Sequence, residues 1–206
     1  ARATSDAPLV TGGSGLARGC DPTGATLGDI AAVPGRRAVL AGSASRATQA
    51  QVRAALPHLP HQKVDVAAAL ADPGAEVERL LAWARERWAE QSDRPVLVYS
   101  VGEPDDVARG RAVTADAPAV VERLFSALAP RLAEAGATQL VVAGGETSGS
   151  VVQGLGVHVL EVGQLLSPGV SWLRGRRRGA DDVNLVLKSG NFGTEDLFVT
   201  AWEELA

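Results

Sequence analysis

The 206-residue sequence contains one cysteine, Cys20, and its three histidines form no ordered set with it. A single cysteine cannot form an internal disulfide, and the missing Cys and His ligand pattern excludes a zinc-stabilised domain. No apolar run reaches the roughly 20 residues needed to span a bilayer, and the N-terminus has no basic and then apolar leader. We therefore expect a cytoplasmic protein without a membrane partner.

Aromatic residues make up only 4% of the chain, and 20 Lys and Arg face 24 Asp and Glu. The basic surface typical of nucleic-acid binding is therefore missing, and we expect small-molecule partners instead. Trp83 and Trp88 are interpreted as packing residues, because no basic groove accompanies them. Only Lys63 and Lys188 of the basic residues are lysines. A lysine directly before Ser-Gly-Asn is thus a candidate functional residue.

Apolar runs that end in glycine and hydroxyl residues recur along the chain. The clearest is residues 140–150, Leu-Val-Val-Ala followed by Gly-Gly-Glu-Thr-Ser-Gly-Ser, and the second is residues 185–193, which end in Lys-Ser-Gly-Asn-Phe-Gly. Two further runs break at Thr11 and at Gly42. Glycine lets a ligand approach the backbone, and the first N–H groups of a following helix have no partner. The pattern predicts anion-binding loops, and two such loops suggest a nucleotide site.

Alternating strand and helix patterns with short connections predict an α/β fold, an open, mainly parallel sheet with helices on both faces. All four glycine loops would then lie at the carboxyl edge of the sheet, where ligands bind. The predicted strands are residues 37–41, 63–66, 95–100, 140–143, 156–162 and 184–188. The predicted helices are residues 46–56, 72–91, 115–135, 148–155 and 196–205. Residues 163–178 are predicted as a turn-rich connection.

Three polar segments allow two interpretations each. The acidic loop 101–106 could help to hold magnesium, but a solvated capping turn explains it equally well and is favoured. The Arg-rich residues 174–178 are interpreted as a solvated loop rather than an anion-steering patch. His58 and His61 show no metal spacing, and His158 is expected at the surface.

Two common nucleotide motifs are absent. Residues 11–16 do not match Gly-x-Gly-x-x-Gly, and no glycine lies at the P-loop distance before Lys188. An NAD-dependent oxidoreductase is therefore disfavoured, and ATP would have to bind in another way. A non-catalytic nucleotide- or metabolite-binding module remains an alternative.

Four segments in order resemble the C-terminal, nucleotide-binding half of the four-carbon acid sugar kinases, which include the 3-oxo-tetronate, threonate and erythronate kinases. They are residues 42–51 (Gly-Ser-x-Ser-x-x-Thr-x-x-Gln), 144–149 (Gly-Gly-Glu-Thr-Ser-Gly), 168–170 (Pro-Gly-Val) and 187–193 (Leu-Lys-Ser-Gly-Asn-Phe-Gly). Residues 11–17 are similar to the junction segment of that family. The family's N-terminal sugar-acid domain, with its Asp-Asp-x-Thr-Gly context, has no counterpart here. Since the chain also begins at Ala1 and lacks methionine, we expect a processed form or one half of a longer polypeptide.

The resemblance implies ATP-dependent phosphorylation of a hydroxyl of a four-carbon sugar acid, with Mg²⁺ as a further cofactor. It predicts a junction segment over residues 1–35 and a nucleotide-binding domain over residues 36–206. The sugar acid would bind through the missing N-terminal domain, and a homodimer is possible. The predicted cofactor-binding residues are Ser43, Ser45, Gly144, Gly145, Glu146, Thr147, Ser148, Gly149, Lys188, Ser189, Gly190, Asn191 and Gly193, and the predicted substrate-binding residues are Gly12, Gly13 and Ser14.

Individual roles follow from charge. Phosphates would lie on the backbone N–H groups of Gly144 and Gly145 and of Ser148 to Gly149. A carboxylate beside phosphates is repulsive unless it holds magnesium or a ribose hydroxyl, so Glu146 is the predicted metal ligand. Lys188 would neutralise phosphate charge, or else it extends to solvent from a strand end. The general base is not assigned.

Overall fold

A computed structural model describes residues 28–205 of the chain. The strands are Arg36–Ala41 (β1), His61–Lys63 (β2), Val96–Tyr99 (β3), Ala137–Ala143 (β4), Val157–Ser167 (β5), Val170–Arg177 (β6) and Val183–Lys188 (β7). The helices are Arg46–Ala55 (α1), Val66–Ala71 (α2), Pro73–Glu90 (α3), Pro104–Val113 (α4), Ala117–Glu134 (α5), Gly145–Gly154 (α6) and Leu197–Thr200 (α7), followed by a 3₁₀ turn at Ala201–Glu204.

All seven strands form one sheet in the order β2-β3-β1-β4-β7-β6-β5. The first five strands are parallel, and β6 and β5 add an antiparallel hairpin at one edge. Buried apolar runs in β1, β3 and β4 are typical of central parallel strands covered on both faces. The predicted mainly parallel α/β fold is confirmed, and the carboxyl ends of β1, β4 and β7 lie side by side.

Two hydrophobic cores cover the two faces of the sheet. Helices α2, α3, α5 and α6 pack on one face, which we call the α5 face, and its largest buried side chain is Trp88. Helices α1 and α7 and the 3₁₀ turn pack on the other, the α1 face, around Trp172 and Trp202. The indole N–H of Trp88 donates to the carbonyl of Arg37 at 3.3 Å, which confirms the packing role predicted for this tryptophan.

Local signals explain where several helices begin and end. Ser45 accepts a hydrogen bond from the Thr48 N–H, and Asp72 accepts one from the Ala75 N–H, so both side chains cap their helices. Gly136 has φ +93°, a left-handed conformation that suits glycine after a helix end. These boundaries agree with the sequence predictions to within two residues.

The turn-rich connection predicted for residues 163–178 is wrong. Strand β5 continues to Ser167, and residues 170–177 form β6. The Arg-rich cluster is therefore strand rather than solvated loop, because its charges are matched: Arg174 pairs with Asp182 at 2.9 Å and Arg176 pairs with Glu161. Register shifts interrupt the ladder between β5 and β6, and they hide the strand periodicity from the sequence.

Three further elements differ from the predictions. Only Lys63 of the predicted strand 63–66 is in β2, because Asp65 caps α2 by accepting hydrogen bonds from the N–H groups of Ala67 and Ala68. Helix α6 begins at Gly145, three residues before its predicted start. The predicted helix 196–205 is divided between α7 and the 3₁₀ turn.

Candidate functional site

Three glycine loops meet at the carboxyl edge of the sheet. The N–H groups of Gly42 and Ser43, after β1, donate to the carbonyl of Ala143 at 3.0 and 3.2 Å. The N–H of Gly144, after β4, donates to the carbonyl of Lys188 at 2.9 Å. The convergence predicted for these loops is therefore found, whereas the loop at Thr11 and the candidates Gly12, Gly13 and Ser14 lie outside the described residues.

Thr147 makes glycine necessary at two of these positions. A Cβ atom on Gly42 would lie 2.3 Å from the Thr147 hydroxyl, and one on Gly144 would lie 2.8 Å from the same oxygen. Gly144 also has φ +126°, which other residues rarely adopt. The glycines therefore let the β1 loop and the start of α6 pack together around one buried threonine.

The N-terminus of α6 offers the amides of residues 145–147 to a ligand. Helix geometry leaves these first N–H groups without an intrahelical partner, and the helix dipole adds partial positive charge. The N–H of Gly144 is already bonded to Lys188, and that of Ser148 donates to the carbonyl of Gly144 at 2.8 Å. The prediction that Gly144 and Ser148 supply free amides is therefore wrong, because hydrogen bonds within the protein already use both N–H groups. Of the amides predicted to bind phosphate, only that of Gly145 stays available.

Side chains at the start of α6 divide into an outer and an inner group. Gly145, Glu146 and Gly149 are exposed, while Thr147 and Ser148 are buried. A Cβ atom on Gly145 would meet no described heavy atom within 4 Å. The Ser148 hydroxyl has no hydrogen-bond partner among the described residues.

A cavity of about 400 Å³ lies beside this helix start, between α4 and α5 on the α5 face. Its volume falls in the range of about 300–1,000 Å³ that small-molecule sites occupy. The walls combine backbone from the glycine loops with apolar side chains and four charged ones. They are Gly42–Ala44, Val66, Ser100, Val101, Asp106, Val107, Gly110, Arg111, Ala117, Pro118, Val121, Glu122 and 144–147.

Two carboxylates, Glu122 of α5 and Glu146 of α6, share one wall of the cavity. Burial raises the pKa of Glu122, and Glu146 raises it further through a hydrogen bond and through its charge, while Arg123 opposes the change. Such a pair holds a proton or a cation between its oxygens. Within residues 28–205 no cluster of three or more His, Cys, Asp or Glu could hold a metal, so a cation here would need ligand oxygens as well.

Glu122 was missed by the sequence reasoning. It follows Val121 on the predicted helix 115–135, one position beyond the apolar stripe. Helical periodicity alone places it at the border of the buried face, but only the tertiary packing brings α5 next to α6.

Asp106 of the acidic loop caps α4 but is not solvated. Its carboxylate accepts hydrogen bonds from the N–H groups of Gly102 at 2.9 Å and Glu103 at 3.0 Å, and it pairs with Lys63 and with Arg109 at 3.2 Å. Burial raises its pKa, but the hydrogen bonds from Lys63 and the two amides outweigh this and lower the pKa overall. The favoured capping turn is therefore confirmed for the cap and for the exposed Asp105, and it is wrong for the solvation of Asp106.

Lys188 is buried, with 1% of its surface exposed, and does not extend to solvent. Its ammonium donates to the Thr48 hydroxyl at 3.0 Å, to the Gln51 side-chain carbonyl at 2.5 Å and to the Gly190 carbonyl at 3.1 Å. These three bonds use all the donors of an ammonium group. Burial lowers the pKa of Lys188 to about 8.

The loop at residues 189–193 is fixed to α1 through the same group of side chains. The hydroxyls of Ser45 and Thr48 donate to the Gly190 carbonyl at 2.6 and 3.0 Å. The Gln51 amide nitrogen donates to the carbonyls of Phe192 and Thr194 at 3.1 and 2.8 Å. Two of the segments quoted from the sequence, 42–51 and 187–193, therefore form one hydrogen-bonded unit.

The remaining predicted residues lie on the outer side of that unit. Ser189 and Asn191 are exposed, and Gly193 has φ +88°. A Cβ atom on Gly169 would lie 2.7 Å from the ring of Phe192, so the Pro-Gly-Val segment also meets this loop. Of the predicted cofactor-binding residues, Ser43 and residues 144–147 line the cavity, and the others do not.

No helix in the described part of the chain is long and apolar enough to cross a membrane. In comparisons with known proteins, the model of a family described as the nucleotide-binding C-terminal domain matches residues 38–198. This match covers the sheet, the glycine loops and the loop at residues 189–193.

Full-length relatives agree with this match. The 3-oxo-tetronate kinase of Salmonella typhimurium strain LT2 is 40% identical over 209 residues, which cover 97% of this chain and 48% of that protein. The 3-oxo-tetronate kinase of Pseudomonas fluorescens strain Pf-5 is 42% identical over 215 residues, covering 99% of this chain and 48% of that protein. This chain therefore spans about half the length of the relatives that it matches.

A crystal structure of a Haemophilus influenzae protein superposes with a TM-score of 0.77 at 34% identity, covering 100% of this chain and 50% of that one. Sequence and fold thus lead to the same assignment, and the chain belongs to the nucleotide-binding C-terminal domain family found in the four-carbon acid sugar kinases.

Proposed function

We propose that this chain is the ATP-binding half of a kinase that phosphorylates a hydroxyl of a four-carbon sugar acid of the 3-oxo-tetronate, threonate or erythronate type. The observation that carries the proposal is the cavity between α4 and α5, which opens onto the free amides at the start of α6. The apolar side chains in its walls suit a flat ring, and the amides at the start of α6 suit an anion. An adenine nucleotide has both features.

The apolar walls favour the base of the nucleotide. The cavity walls include the apolar side chains of Val101, Val107, Pro118 and Val121. Burying an aromatic base against such side chains is favourable at about 25 cal/mol per Å² of apolar surface. The phosphates would then lie on the amides of residues 145–147, where the helix dipole stabilises negative charge.

Arg111 supplies a positive charge to the cavity. Among the described residues that line the cavity it is the one basic side chain. Phosphoryl transfer depends mainly on positioning and on neutralising charge. Arg111 therefore takes over the role that the sequence assigned to Lys188, whose donors are all in use.

Mg²⁺ fits the carboxylate pair of Glu122 and Glu146. Carboxylate oxygens are suitable ligands for this ion, which keeps water and phosphate oxygens as its other ligands. When bound, the ion would neutralise the charge of the phosphate oxygens. Burial is the largest cause of the raised pKa of Glu122, and a cation between the carboxylates would remove the further part that Glu146 adds.

The binding site for the sugar acid and the general base are proposed to lie in the half of the protein that this chain does not contain. Relatives named as 3-oxo-tetronate kinases are about twice as long as the matched region. The segment with Gly12, Gly13 and Ser14 is proposed to contact the sugar acid. A nucleotide-binding module without catalysis remains the second candidate, because the chain spans only half of these relatives.

Calorimetric titration with ATP, ADP and NAD⁺, with and without Mg²⁺, tests the proposal. Gly145→Val should abolish ATP binding, since a Cβ atom there meets no described heavy atom within 4 Å and the side chain would occupy the space above the free amides. Ser150→Val on the same helix is the matched control for the β-branched residue and should bind ATP normally. Equal binding by both variants, or a preference for NAD⁺, would contradict the proposal.

Phosphoryl transfer separates the two candidates. The kinase proposal predicts turnover of a four-carbon sugar acid when the missing half is supplied as the full-length protein. ATP binding without turnover in that full-length protein would favour the non-catalytic module.

A further inference from the structure

We infer that Lys188 is a positioning residue of the nucleotide site, which acts on the nucleotide only by fixing the loop at residues 189–193 to α1. We call the group formed by Thr48, Gln51, Lys188 and Gly190 the lysine clasp. The inference rests on the proposed function, because it assigns a role within that site.

The direction of the Lys188 side chain separates it from the cavity. Side chains alternate between the two faces along a strand, and Val186 and Lys188 both lie on the α1 face, against α1 and α7. The cavity walls formed by α4 and α5 lie on the opposite face. The ammonium is 5.9 Å from the ring centre of Phe198, deep under the loop rather than at its outer surface.

The clasp is complete without a ligand. Three acceptors take the three ammonium hydrogens. Within residues 28–205, the groups that face Lys188 are Thr48, Gln51, the Gly190 carbonyl and the Phe198 ring, none of which titrates. Burial without an opposing carboxylate is the cause of its lowered pKa. Burying a cation among neutral oxygens costs free energy of folding. The function of Lys188 must therefore depend on the contacts that it organises.

The lysine clasp is connected to the nucleotide site by backbone contacts and not by the charge of Lys188. The Lys188 carbonyl accepts the hydrogen bond from the Gly144 N–H, directly before the free amides of α6. A Cβ atom on Gly190 would lie 2.5 Å from the hydroxyl of Ser43, which lines the cavity. Fixing Gly190 therefore fixes both the β1 loop and the start of α6.

A double-mutant cycle on ADP binding at pH 7 tests the inference. Lys188→Met and Thr48→Val each remove one member of the clasp, and Thr48 touches no part of the cavity. If the fraction of molecules with an ordered loop falls to about a tenth, each variant should bind ADP about tenfold more weakly. The double variant should then be no weaker than the weaker single variant, because both changes break the same unit. Arg131→Met, an exposed cation on α5 paired with Glu78, is the control and should bind normally.

The pH dependence of ADP binding by the wild type is a second readout, with Lys188→Met as its control variant. Above pH 7 the phosphates of ADP are fully ionised, so a fall in affinity with a midpoint near pH 8 reports loss of the Lys188 proton. Lys188→Met should show no such fall. Normal ADP binding by Thr48→Val, or additive effects of the two substitutions, would overturn the inference in favour of direct contact between Lys188 and phosphate.

If the wild type binds no adenine nucleotide, that result would refute the proposed function alone. The inference about the clasp is then tested on the ligand-free protein. Amide hydrogen exchange at residues 190–194 should rise at least about tenfold in Thr48→Val, while exchange in β4 stays unchanged. Unchanged exchange at residues 190–194 would refute the clasp itself.

Discussion

Replacing Asp106 by Asn removes the charge that holds α4 against the sheet. The carboxylate is 2% exposed and has four partners: two backbone amides, Lys63 and Arg109. Hydrogen bonds to a charged group are worth about 1.5–3 kcal/mol, against about 0.5–1.5 kcal/mol for neutral ones. Weakening two backbone bonds costs about 2 kcal/mol. Because Lys63 is 38% exposed and regains water, loss of its ion pair adds at most about 1 kcal/mol.

The neighbouring Asp105 is the matched control. It is exposed in the first turn of the same helix, so Asp105→Asn loses only its interaction with the helix dipole, about 0.3–1 kcal/mol. Urea unfolding at pH 7 should therefore show Asp106→Asn to be about 2 kcal/mol less stable than Asp105→Asn. Equal stability of the two variants would refute the buried network.

The pH dependence of the Asp106 effect has a definite sign. The folded-state pKa of Asp106 is lowered, so its stabilising contribution is full above the unfolded value of about 3.9 and is lost as the pH falls through the folded value. The difference between wild type and Asp106→Asn should shrink over that acid range. A difference that persists after the carboxylate is protonated would contradict the assignment to charge.

Three further outcomes follow from the structure. Gly42→Ala places a Cβ atom 2.3 Å from the hydroxyl of buried Thr147 and should lower the free energy of unfolding by about 1–3 kcal/mol in urea titrations. The folded-state pKa of Glu122 is raised mainly by burial and by Glu146. The wild type should therefore lose stability relative to Glu122→Gln as the pH rises through that pKa. Thermal melts from pH 4 to 8 should show a growing advantage for the variant. Trp172→Phe loses a buried indole hydrogen bond of 2.8 Å to a backbone carbonyl and should cost about 1–3 kcal/mol by the same urea assay.

The parallel part of the fold could be predicted from sequence because local and tertiary requirements coincide there. Residues 38–41 and 140–143 are continuous apolar runs, and burial on both faces selects such runs for central strands. Asp72 and Gly136 mark helix ends by chemistry that acts within a few residues. Alternation predicted the first part of β5 as residues 156–162. The rest of the hairpin of β5 and β6 could not be predicted in the same way, since its Arg-rich strand is explained only by cross-strand partners.

The position of the site could be predicted more completely than its chemistry. The glycines at 42 and 144 indicated the edge of the sheet, because close backbone approach requires them. Lys188 was interpreted by its charge, but alternation along β7 directs it to the α1 face, where Thr48 and Gln51 use its donors. Glu122 depends on contact between two helices, which local pattern does not encode.

Backbone amide shifts during titration of the ¹⁵N-labelled chain with ADP and Mg²⁺ test the central claim most directly. The account predicts the largest changes at residues 145–147 and along the cavity walls near Val107 and Val121. The cleft beside β2, with Lys63 and Arg79 at its walls, should change little. Largest changes at that cleft, with residues 145–147 unaffected, would contradict the account.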